Sequence, residues 1–276
     1  MKLVLKKSLY LSLMIFVLFS LNCYAVDNLT AQQKEAKEWL EKAKDVDSIE
    51  LKIEYYTKAI ELCPKHIFAN YIRGWAYSDL GEYQKAIDDY TKAIEQLDPK
   101  TNSVHKPLGS FLYYKRADAY GNLGEFQKAI DGFSKAIEID PKDGDAYCKR
   151  AIAYIDLGEF QKAIADCTKT IKLNPEYAPV YFLRGWAYSD LGEYQKAIDD
   201  YTKVIELDPE DVNIYLSRGL IYVLREFPTA ACGDFYQAGI LYLKQNNKTQ
   251  ALICVDRMKK VDSSSPLINK LMDKIY

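Results

Sequence analysis

Small, aromatic and polar positions follow one another along this chain in an order that keeps returning. In residues 110–143, SFLYYKRADAYGNLGEFQKAIDGFSKAIEIDPKD, Ala117 and Tyr120 lie three apart on one helical face. Gly124 then ends that helix, because a left-handed cap suits glycine. Ala129, Phe133 and Ala136 form an i, i+4, i+7 stripe on a second helix. Pro141 closes the unit, since it cannot continue a helix. The pattern therefore predicts two helices joined by a tight turn. Small side chains let the pair approach closely, and the aromatic ones fill the space toward the next pair.

The same order recurs. Residues 73–95 and 184–206 are identical except that Ala93 becomes Val204. Units are expected at 67–99, 110–143, 144–177 and 178–211, with a divergent one at 212–245 that lacks both the turn glycine and the closing proline. A polar, degenerate unit at 33–66 reads as an N-terminal cap, because an end repeat needs one wet face. Residues 246–276 read as C-terminal capping helices. Helix 229–245 fits two registers, since Ala231, Phe235 and Ala238 match a second helix while Gly239 and Tyr242 match a first. Pro141, Pro175 and Pro209 are 34 residues apart but Pro99 to Pro141 is 42, so 100–109, with Pro107 and Gly109, is expected as an inserted loop. A period near 34 residues built from helix pairs means a solenoid.

This order of small, aromatic, glycine, alanine, aromatic, alanine and proline resembles the tetratricopeptide repeat family, here in an exported bacterial form. The resemblance covers about residues 33–245. It implies an all-α, right-handed superhelical solenoid of about six units, and a role in binding another protein or peptide.

In that family the first helix of each unit lines the inner groove. The matching positions form columns. One holds Tyr71, Tyr114, Cys148, Phe182 and Leu216. The next holds Trp75, Asp118, Ile152, Trp186 and Leu220, and the third Asp79, Asn122, Asp156, Asp190 and Leu224. Phe68 and Phe111 add aromatic surface. The resemblance thus implies an aromatic groove with an acidic edge, suited to a peptide or helix with apolar anchors and some basic residues. Members that clamp a chaperone's carboxylate tail use basic or amide residues in the first two columns, and none stands there. The alternative is that Trp75 and Trp186 pack between neighbouring first helices. Arginine also recurs, at 73, 116, 150, 184 and 218, and is expected to pair with acids of the preceding second helix, such as Glu54, Asp89 or Asp166.

The first 25 residues are basic at Lys2, Lys6 and Lys7, then apolar from Leu9 to Leu21, with Cys23 and Ala25 placed for cleavage after Ala25. That is the anatomy of a signal peptide, and the run falls short of the roughly 20 residues of a bilayer span. A short linker, 26–32, would follow. Export to the periplasm or beyond is expected, with a lipid anchor at Cys23 or an uncleaved leader as alternatives. The anchored form would fit a structural component of an envelope assembly. Cys63, Cys148, Cys167, Cys232 and Cys254 show no disulfide framework and read as small apolar core residues.

A net charge of -2 without a basic stripe argues against nucleic acid. His66 and His105 have no ligand or nucleophile spacing, and no glycine-rich phosphate loop occurs. Asp88–Asp89 and Asp199–Asp200 read as solvated helix charges. No enzyme, metal, cofactor or small-molecule substrate is expected, and a membrane only through a lipid anchor.

Overall fold

The computed structural model describes residues 30–97 and 106–276. The leader, Cys23, most of the expected linker, Pro99 and His105 lie outside them. The described residues form fourteen α-helices and no strand. They fall into two units, one ending at Lys100 and one starting at Thr101.

In the first unit, α1 (Ala31–Lys42), α2 (Ile49–Leu62), α3 (Ile67–Asp79) and α4 (Tyr83–Glu95) pack each on the next. Helix α1 begins inside the stretch expected as linker, because Thr30 and Gln33 make a reciprocal capping box. Its apolar side, Ala36 and Leu40, closes on Tyr56 and Ala59 of α2.

The second unit continues with α5 (Lys106–Asn122), α6 (Phe126–Ile139), α7 (Gly144–Asp156), α8 (Phe160–Leu173), α9 (Ala178–Asp190) and α10 (Tyr194–Leu207). It ends with α11 (Val212–Leu224), α12 (Pro228–Lys244), α13 (Lys248–Val261) and α14 (Pro266–Ile275). Helix α5 corrects the last part of the loop expected over 100–109, since residues 106–109 are its first turn, while 100–105 lie outside the described residues. Pro107 is tolerated there, where a backbone N–H has no helical partner, and Leu108 and Gly109 are buried. Each helix packs on the next, and α12 also meets α14. The all-α tetratricopeptide-type stack expected from the repeat is present in each unit.

One turn geometry recurs between first and second helices. The amide of Glu82 donates to Tyr77 O at 2.8 Å and that of Gly81 to Ser78 O at 3.0 Å, a Schellman closure. Gly81, Gly124, Gly158 and Gly192 take φ of 73–78° there. The divergent unit keeps the turn without the glycine: Glu226 adopts φ 57°, and the Phe227 amide donates to Tyr222 O at 2.8 Å. A sixth copy follows α12, with Asn246 at φ 58° and the Asn247 amide on Tyr242 O. Helix α12 therefore serves as second helix to α11 and first helix to α13. Both registers read from its sequence are used.

Candidate functional site

Four of the first helices are joined to both neighbouring helices by a polar staple. Arg184 Nε and Nη2 donate to Asp200 Oδ2 and Oδ1 at 2.8 and 2.7 Å, and Nη1 donates to Thr168 Oγ1 at 3.1 Å. The same bidentate pair joins Arg73 to Asp89, Arg150 to Asp166 and Arg218 to Asp234. Thr57, Ser134 and Thr202 supply the hydroxyls. This corrects two sequence readings. Each acid comes from the helix after the arginine, and the helix before it gives only a hydroxyl; Glu54 pairs instead with Lys58. Asp89 and Asp200 are also buried, so only Asp88 and Asp199 of the adjacent pairs face solvent. Neighbours on a helix diverge by about 100°, which sends one member of each pair inward.

The first column is mainly a packing column. Tyr71 is 4% exposed, and its ring centroid lies 6.4 Å from that of Tyr90 and 6.4 Å from that of Phe68. Tyr114 meets the Phe133 ring edge-on at 5.5 Å, and Phe182 lies 5.8 Å from Tyr201. Cys148 is buried, while Tyr114, Phe182, Phe68 and Phe111 are half-buried. Burial pushes the Tyr71 and Tyr114 phenols and the Cys148 thiol up, the thiol to about 11, so all three stay protonated at neutral pH. The five described cysteines are free, and all but half-buried Cys63 are buried.

The second column faces outward. In the second unit Ile152 is 37%, Trp186 42% and Leu220 50% exposed. They stand on α7, α9 and α11, and α7 and α9 touch directly. In the first unit Trp75 on α3 is 40% exposed. Asp118 interrupts the column, and its Oδ1 is held by Lys149 Nζ at 2.7 Å. In the third column Asp79, Asn122, Asp156 and Asp190 are exposed, as is Leu224. Within the second unit Asp118, Asn122, Ile152 and Asp156 line one recess, and Trp186 and Asp190 stand on α9, which touches α7. Leu220 and Leu224, the last members of the second and third columns, are exposed as well and extend the apolar part. Trp75 and Asp79 form the corresponding surface of the first unit.

Among the described residues, no group of three or more His, Cys, Asp or Glu side chains could hold a metal ion, and no helix is long and apolar enough to cross a membrane. His66 has a local duty. Its Nδ1 accepts from the Ala69 amide at 3.2 Å and caps α3.

The family described as tetratricopeptide repeat matches residues 68–97, 110–143, 144–177 and 178–211. The chain therefore carries tetratricopeptide repeats. No curated protein matches its sequence. Among solved structures it is similar to MamA protein, at 25% identity and TM-score 0.57, over 66% of this chain and 94% of that one. A tetratricopeptide repeat protein from Parabacteroides merdae shares the fold at 19% identity and TM-score 0.61, over 88% of this chain and 99% of that one. YrrB, described as a TPR protein with an unusual peptide-binding site, aligns at 20% identity and TM-score 0.50, over 80% and 99%.

Proposed function

We propose that this chain, built on tetratricopeptide repeats, is an exported interaction scaffold whose first-helix face receives a peptide or helix of another protein. The observation that carries the reading is the outward turn of large apolar side chains in the second column. Trp186, Ile152 and Leu220 leave much of their surface in water, although their own helices are otherwise well packed. Burying such side chains against a partner releases about 25 cal/mol per Å² of apolar surface, and tryptophan is the residue most often found to dominate such contacts. The carboxylates of Asp156 and Asp190 beside them favour a partner with basic residues among its apolar anchors.

The test is capture of the partner by the chain and by a Trp186→Ala, Leu220→Ala double variant. Partner recovery is expected to drop with helical circular dichroism unchanged. Undiminished capture, or loss of helix content, would reject this face. Export rests on the leader alone. A chain recovered outside the cytoplasm that begins at Val26 is the expected product. Recovery with a lipid on Cys23 would instead favour a membrane-held component of an envelope assembly.

A further inference from the structure

We infer that the seam between α5 and α7 is a receptor for one cationic side chain, lysine or arginine, of the bound partner; the inference rests on the interaction face proposed above. A recess of about 150 Å³ opens there, within the second unit. That is the space of about five waters, enough for one long side chain and too little for a helix. Phe133, Ile152 and Ala153 line its apolar part, and Asp118, Asn122, Lys149 and Asp156 its polar part.

The recess has a local cause. Gly121 occupies the place that Ser78, Ile155, Ser189 and Val223 fill in the equivalent turns. A β-carbon on Gly121 would meet nothing nearer than Ala129 Cβ at 3.9 Å. Close packing therefore does not demand the glycine; a side chain is missing where there is room for one. Asp118 is the second departure, because every other unit from 67 to 245 carries a large apolar residue at that position.

The charges select the occupant. Asp118 and Lys149 neutralise each other at 2.7 Å, which leaves the exposed carboxylate of Asp156 in excess. Asn122 Nδ2 donates one of its two hydrogens to Asp118 O at 2.8 Å, which fixes the amide and leaves its Oδ1 as an acceptor for a cationic head. A cationic side chain can lay its stem on Phe133 and Ile152 and carry its head to Asp156 and Asn122. An acidic side chain would meet two carboxylates against one ammonium already paired. An apolar one would strip water from Asp156 and return no hydrogen bond.

A phage-displayed library of linear random peptides, selected on the full chain, tests this. The peptides recovered should share apolar positions and one fixed lysine or arginine. Replacing that residue by alanine should weaken binding about tenfold, as loss of a charge-assisted hydrogen bond does. On Gly121→Leu, which fills the recess from α5, the apolar consensus should persist and the basic preference vanish. If that variant fails to fold, Asp156→Asn on the exposed rim must give the same loss of preference. Peptides with no fixed basic position, or a preference that survives both variants, would overturn the inference and leave the interaction face standing. Recovery of no peptide at all would overturn both.

Discussion

A β-carbon added to Gly185 would lie 2.7 Å from Tyr201 Cε1, so the ring, not the turn, requires the glycine. Gly74 with Tyr90 and Gly219 with Phe235 repeat the arrangement at 3.0 and 2.9 Å. Where the second helix offers Cys167 in place of a ring, Ala151 fits. Gly185→Ala should cost about 1–3 kcal/mol by overpacking. Tyr201→Cys should recover part of that loss, and a double-mutant cycle in urea would show the coupling. Conversely, Glu226→Gly should stabilise the second unit by about 1 kcal/mol, read as a higher denaturant midpoint, because a non-glycine residue at φ 57° is strained. His66 brings a pH dependence. Burial disfavours its imidazolium, so the folded pKa lies below the unfolded value near 6.5. Between the two values the unfolded chain binds more protons. The stability of the first unit is therefore full above about pH 6.5 and falls as pH drops through the folded value. Hydrogen exchange of α3 amides against pH should show this, and His66→Asn, a cap that does not titrate, should abolish it. The turn glycines were legible in the sequence. Glu226 was not, because the backbone bonds of the turn carry it through a residue that carries no sign of them.

At the scale of the helix, the arginine staple distinguishes neighbours that look alike in sequence. Asp200 is buried against Arg184, while exposed Asp199 accepts only from Gln195 at 3.0 Å. Asp200→Ala should destabilise the second unit by about 3–5 kcal/mol, since it strands a largely buried guanidinium. Asp199→Ala should stay within about 0.5 kcal/mol. Thermal or urea unfolding separates the two. A signal for this was present in the chain. Asp200 falls three after Ala197 and four before Val204, on the apolar stripe, and lies 16 residues after the arginine in every stapled unit. In residues 110–143, Gly132 stands where the aspartate would be, and a β-carbon there would sit 2.8 Å from Ala117 Cβ. That unit pairs an alanine with a phenylalanine and makes room at the neighbouring position instead.

For the molecule, helix pairs and their order followed from a periodic signal that tertiary packing reinforces at every repeat. The division into two units did not, because the repeat pattern runs on either side of it and carries no mark of a boundary. The start of α5 was hidden by Pro107 and Gly109, which mark loops more often than first turns. The candidate face was legible as columns, but exposure was not. Tyr71 and Trp75 stand four apart on α3, yet only Trp75 reaches water, because Tyr90 covers the Tyr71 ring. The most direct test is therefore positional. A photo-crosslinking amino acid placed at Trp186 or Leu220 should capture the partner, and the same group at Gln195 or Asp199, also exposed but on a second helix, should not. Capture from the second-helix positions alone would contradict the account.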